Sequence, residues 1–97
     1  MTLIWSKKAL YDLEKIGFFI ARDNPERARR YLKTLVERAK GVAHFPKSGG
    51  VVPEFRDPQL REKFQDNYRI VYRTNAKEKT ICILTIFESH RLLKCKK

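Results

Sequence analysis

The groups in this 97-residue chain best suited to chemistry are a set of cations and one imidazole. Arg69 and Arg73 alternate with apolar residues between Tyr68 and Arg73, Arg61 precedes that stretch, and His90 and Arg91 follow a long apolar run. Such a set could bind phosphate. With His90 giving up a proton near neutrality it could also cut RNA: a 2′-hydroxyl attacks the adjacent phosphate, the leaving oxygen is protonated, and cations stabilise the phosphorane. That route uses no metal, and His44, His90, Cys82 and Cys95 have no spacing that suits zinc, so neither a metal nor another cofactor is expected. Several of the basic residues also have a structural reading. Arg69 serves equally well as a bridge between strands to a carboxylate such as Glu62 or Glu88. A histidine beside an arginine is more often an ordinary surface residue, and Lys47 and Lys63 read as solvated lysines.

The elements that would position these groups follow from periodicity. Tyr68, Ile70 and Tyr72 alternate with Arg69, Val71 and Arg73, which predicts a strand with one packed face and one face carrying two guanidinium groups. Thr80 to Phe87 is almost wholly apolar and rich in β-branched residues, as in an interior strand covered on both faces or nearly so. The connection TNAKEK predicts an antiparallel hairpin with Asn75 in the left-handed region. Upstream, Thr2 to Trp5 reads as a short strand, and Ser6 as the N-cap of a helix ending near Arg22. Ala9, Leu10, Leu13, Ile16, Gly17 and Ile20 share the apolar face of that helix, with Phe18 and Phe19 widening it. Gly17 costs roughly 1 kcal/mol relative to alanine, which implies close approach of another backbone, that of the second helix.

Asn24 and Pro25 start this second helix, whose stripe runs from Ala28 through Tyr31, Leu32, Leu35, Val36 and Ala39 to Val42. Its other side is strongly basic and reads either as a solvated face or as a surface for an acidic partner, with Arg27, Arg30 and Arg38 the candidate contacts. Phe45, Pro46, Gly49, Gly50 and Pro53 mark a loop in which Phe45 plugs the base of the core and Val51 and Val52 open an irregular strand. Residues 60–65 form a further short strand. The expected fold is α+β: an N-terminal strand, then an antiparallel helical hairpin packed on a small, mainly antiparallel sheet of about four strands, in one domain over residues 1–97.

Charge narrows the choice of partners. Twenty-two Lys and Arg against 11 Asp and Glu give a formal +11 and a pI near 10.0, which favours polyanions, anionic surfaces or an acidic protein. No apolar run approaches the roughly eighteen residues of a membrane span, and MTLIWSKKAL has too short an apolar region for a secretory signal, so a cytoplasmic protein without a membrane partner is expected. Cys82 and Cys95 read as free thiols. Trp5, Tyr68 and Tyr72 fit core packing better than base stacking, and there is no RNP1 pattern.

The run NYRIVYR, a short charged turn and an aliphatic strand leading into ESHRLL is similar to the C-terminal signature of the RelE/ParE toxin superfamily of bacterial type II toxin-antitoxin pairs. The similarity extends to the strand ending in Trp5, to ALYDLEKIGFFIARDNPERARRYL, to FPKSGG and to LREK, and DNPERA leans towards the ParE branch. The resemblance implies a basic toxin neutralised by a cognate acidic antitoxin that wraps over it in a hetero-oligomer, with Arg27, Arg30 and Arg38 as antitoxin contacts. For a ParE-like toxin it implies poisoning of DNA gyrase by binding alone, with Arg69, Arg73 and Arg91 touching the target. The alternative is a RelE-like endonuclease that cuts messenger RNA on the ribosome, with Arg61, Arg69, His90 and Arg91 catalytic. A weaker alternative is an inactive homologue that acts only in a DNA-binding repressor complex with its antitoxin. Phe64 stands where a RelE-like nuclease places arginine, the spacing from Arg61 to Tyr68 departs from the nuclease pattern, Glu88 takes the usual histidine position, and LLKCKK has no terminal tyrosine. These departures favour the gyrase reading.

Overall fold

Two caps set the helical pair. The Ser6 hydroxyl accepts the Ala9 N–H at 3.0 Å and the Asn24 side chain accepts the Arg27 N–H at 3.0 Å, with Pro25 in the first turn where its missing N–H costs nothing. The structure, a computed structural model, describes residues 1–89. In chain order these form β1 (Thr2–Trp5), α1 (Lys7–Ala21), α2 (Pro25–His44), β2 (Gly50–Val51), β3 (Leu60–Gln65), β4 (Tyr68–Asn75) and β5 (Thr80–Glu88). The sheet has five strands in the order β1-β5-β4-β3-β2, one more than the expected four, and the irregular strand expected at Val51 is the two-residue β2 paired with Arg61 and Glu62. β1 runs parallel to β5 and the other pairings are antiparallel, so the apolar β5 is interior, as its composition requires.

The helices cover one face of the sheet. Ala9, Ile16, Leu35, Ala39 and Val42 pack on Ile70, Tyr72, Ile81, Ile83 and Ile86, each buried isoleucine contributing about 1.5–3 kcal/mol. A smaller cluster of Val52, Leu60 and Val71, with Phe55, Leu84 and Phe87, lies on the opposite face, covered by the loop after β2. That second cluster corrects the expected guanidinium face of β4: Arg69 and Val71 are buried and Arg73 alone of the three is exposed. The far face of β5 is half-buried instead of covered.

A β-bulge between β4 and β5 leaves Leu84 as the extra residue, since Val71 faces Thr85 while Tyr72 faces Ile83. The start of α1 closes it. Ser6 donates to the Leu84 carbonyl at 2.9 Å, and the buried Asp12 carboxylate accepts the Ile86 N–H at 3.0 Å and the Thr85 hydroxyl at 2.6 Å. Asp12 therefore supplies the acceptor that the disturbed ladder lacks.

Four local expectations are corrected. Leu10, Phe18 and Phe19 are exposed because they fall off the stripe defined by Ala9, Asp12, Ile16 and Gly17. Phe45 is 70% exposed and plugs nothing. At Gly17 the close neighbour is indeed on α2, but it is the Leu32 side chain and not backbone: an added Cβ would lie 2.8 Å from Leu32 Cδ1. In the β4–β5 turn Lys79 takes the positive φ of 56°, while Asn75 ends β4 and its side chain accepts the Glu78 N–H at 3.1 Å.

Candidate functional site

Arg69 lies opposite Phe64 of β3 and Phe87 of β5, so the three side chains share the face away from the helices. Glu62, two residues before Phe64, points to the same face, and Glu54 is brought over it by the loop after β2. The guanidinium donates from Nε to Glu62 Oε1 at 2.8 Å, from Nη1 and Nη2 to Glu54 at 2.9 and 3.1 Å, and from Nη2 again to Glu62. Its Cζ sits 5.1 Å from the centre of the Phe87 ring. Arg69 is only 4% exposed, and its hydrogen bonds to Glu54, with those to Glu62 adding to them, raise its pKa above the ordinary arginine value despite burial. A phosphate could reach this guanidinium only by displacing a carboxylate that already satisfies it in a fork-like geometry. The cleft above it, about 390 Å³, is walled by Pro53, Glu54, Glu62, Phe64 and Ser89.

The other predicted residues are dispersed. Arg73 is exposed on the open face and donates to Asp57 at 3.1 Å; the Gln59 backbone N–H and then Arg73 hold the Asp57 carboxyl below its usual range. Arg61 stands opposite Tyr72 and so on the helical side of the sheet, with Nε on the Pro58 carbonyl at 3.0 Å and Nη1 on the Gly49 carbonyl at 2.9 Å. Arg61 and Arg69 thus project from opposite faces and are not brought together. His90, Arg91 and Cys95 lie outside the described residues; Cys82 is a half-buried free thiol on β5.

Arg61 belongs instead to a clamp on the FPKSGG loop. The fully buried Tyr72 donates to the Pro46 carbonyl at 2.8 Å and accepts the Gly49 N–H at 3.1 Å, while burial raises its phenol pKa. A Cβ on Gly49 would fall 2.4 Å from both Tyr72 Oη and the Glu62 carbonyl, so the loop can seat here only with glycine.

The basic face of α2 is divided between two depressions. Arg30, Lys33 and Arg38 join Lys63 of β3 around a groove of about 620 Å³ that Gly41, Val42 and Phe45 also line, and Arg38 donates to Gln65 at 2.9 Å. Arg27 lines a separate cleft of about 320 Å³ with Phe19, Tyr31 and Tyr68. Sequence reading passed over Glu54, Asp12 and Gly41. Glu54 had no signal, since it comes from an irregular loop. Asp12 had one, as the lone carboxylate on the buried stripe of α1. Among the described residues no group of three His, Cys, Asp or Glu side chains gathers to hold a metal, and no helix is long and apolar enough to cross a membrane.

Residues 3–93 match the family model described as the ParE toxin of the type II toxin-antitoxin system, parDE. A curated Sinorhizobium fredii protein named "Putative toxin Y4kP" is 29% identical over 89 residues, covering 90% of this chain and 86% of that one. Among solved structures, a chain of the chromosomal ParDE system from P. aeruginosa superposes with a TM-score of 0.74 at 26% identity, covering 91% of this chain and 95% of that chain. The toxin-antitoxin complex RelBE2 from Mycobacterium tuberculosis gives 0.67 at 22% identity, with 90% and 95% covered. The isolated E. coli RelE toxin gives 0.59 at 19%, with 93% and 85% covered; at these lower identities the likeness is one of fold.

Proposed function

Because the chain belongs to the ParE toxin family of type II toxin-antitoxin systems, we propose that it disables DNA gyrase by binding it, without a chemical step of its own. The observation that carries this reading is the state of Arg69. In a nuclease this arginine would face substrate phosphate; here it is buried against Glu54 and Glu62 beside Phe64, and Arg61 works on the opposite face. An electrostatic site for a phosphorane needs preorganised, unoccupied donors, and this guanidinium has spent its own on carboxylates. A surface that holds its shape and presents apolar and charged groups suits association better. Arg73 and Arg91 are the target contacts, and Arg69 is a positioning residue that fixes the open face of the sheet on which Arg73 stands. A cognate acidic antitoxin neutralises the +11 chain in a hetero-oligomer, with the basic face of α2 as its contact.

The test is a supercoiling assay with purified gyrase and the purified chain, run beside mapping of messenger RNA ends in a bacterial cell-free translation reaction. Inhibited supercoiling without new ends is the expected pair. Ribosome-dependent ends at A-site codons, with supercoiling intact, would overturn the reading.

A further inference from the structure

Two glycines interrupt the helices, and only one has a reason among the described residues. Gly17 makes room for Leu32, whereas a Cβ on Gly41 would meet nothing within 4 Å among the described residues. No glycine has positive φ, so Gly41 is not needed for its backbone conformation either. A glycine weakens a helix relative to alanine, so this one is kept open at the expense of the helix. Gly41 lies in the groove between α2 and β3. Phe45, one turn further on, stands 70% exposed and lines the same groove. The ionic lining is Arg30, Lys33, Arg38 and Lys63 against Glu37, four cations to one carboxylate. Among the described residues β3 has strand pairing on this outer side only at Arg61 and Glu62, so its stretch from Lys63 to Gln65 is unoccupied by β2.

We propose that this groove seats an acidic peptide segment that sets one apolar side chain over Gly41 against the Phe45 ring and its carboxylates on Arg30, Lys33, Arg38 and Lys63. The inference rests on the reading of the chain as a toxin neutralised by an acidic partner, and it assigns that partner a seat. Charge complementarity gives the occupant its acidity, and the open space at Gly41 with the exposed Phe45 ring gives it an apolar anchor. A nucleic acid would use the four cations and stack a base on Phe45, but would leave the open space at Gly41 without a purpose. Arg27, in the other cleft, lies outside the seat.

The experiment measures fluorescence anisotropy of a labelled glutamate-rich peptide carrying one leucine, titrated with the full chain. Gly41→Phe fills the open space without altering charge, and its folding is checked by thermal denaturation. The seat predicts that Gly41→Phe and the double change Lys33→Glu with Arg38→Glu each weaken binding by more than about tenfold, the scale of losing a central anchor. Arg29→Glu, paired on the surface with Glu26, should stay within about twofold. The same peptide with serine in place of leucine should bind several-fold more weakly than the original. Wild-type affinity in Gly41→Phe, equal binding of the serine peptide, or displacement of the peptide by a DNA oligonucleotide of equal charge at lower concentration would each overturn the proposal. A wild-type chain that leaves gyrase supercoiling untouched would instead defeat the functional reading, and that result does not depend on the peptide titration.

Discussion

On the open face of the sheet, Arg69 is buried with its donors on Glu54 and Glu62, whereas between α2 and β3 the cations of Arg30, Lys33, Arg38 and Lys63 stand at or near the surface around a bare Gly41. Both regions are rich in charge, and they use it differently. Buried charges are expensive to desolvate and gain little net stability, but they hold a geometry firmly and punish the loss of one partner. Exposed cations contribute little to folding, are screened by salt and remain available to a partner. The first region therefore shapes the molecule, and the second keeps its charge available at the surface.

The comparison can be broken most sharply at Arg69. Arg69→Ala leaves two carboxylates facing each other under the loop after β2, and should cost about 3 kcal/mol in denaturant unfolding; Lys33→Ala in the groove should cost less than about 0.5 kcal/mol. A loss at Arg69 no larger than that at Lys33 would erase the distinction. Next in size is the clamp that joins the two regions. Gly49→Ala forces a methyl to within 2.4 Å of the Glu62 carbonyl and Tyr72 Oη, an overpacking that should cost about 2 kcal/mol. Tyr72→Phe strands the Pro46 carbonyl and the Gly49 N–H and should cost about 1–2 kcal/mol at neutral pH. The same variant carries a pH signature. Burial raises the folded-state pKa of Tyr72 above its ordinary 10.0, so the stability of the neutral phenol is complete below that pH and is lost as pH rises through the raised value. Tyr72→Phe should make the alkaline decline shallower without abolishing it, since Tyr31 and Tyr68 are raised by burial too. The smallest effect is the most telling for the groove. Gly41→Ala should stabilise the chain by about 1 kcal/mol, while Gly17→Ala, which pushes on Leu32, should gain nothing.

What the sequence disclosed was local. Ser6 and the Asn24-Pro25 pair announced both helix starts, the β-branched run from Thr80 to Phe87 announced an interior strand, and alternation placed Tyr68, Ile70 and Tyr72 on the core face. The candidate site was less legible because its partners are distant. Glu54 reaches Arg69 from 15 residues away through a loop without periodicity, although Glu62 was visible as a candidate partner. The Val52, Leu60 and Val71 cluster that buries the second face of β4 depends on the same loop, so alternation alone left Arg69 looking exposed. Phe18, Phe19 and Phe45 were assigned to the core by type, and a helix turn of 100° per residue or a loop end carries them to the surface.

The central claim is that Arg69 shapes the open face and does not touch the target, and the neutral triple variant Arg69→Met, Glu54→Gln, Glu62→Gln tests it most directly. The measurement is inhibition of gyrase supercoiling at matched folded protein concentration. Inhibition within about threefold of wild type is the predicted result, because similarly shaped neutral groups can replace a buried ion cluster. A triple variant that folds but no longer inhibits would make the charge of this cluster part of target recognition and would contradict the account.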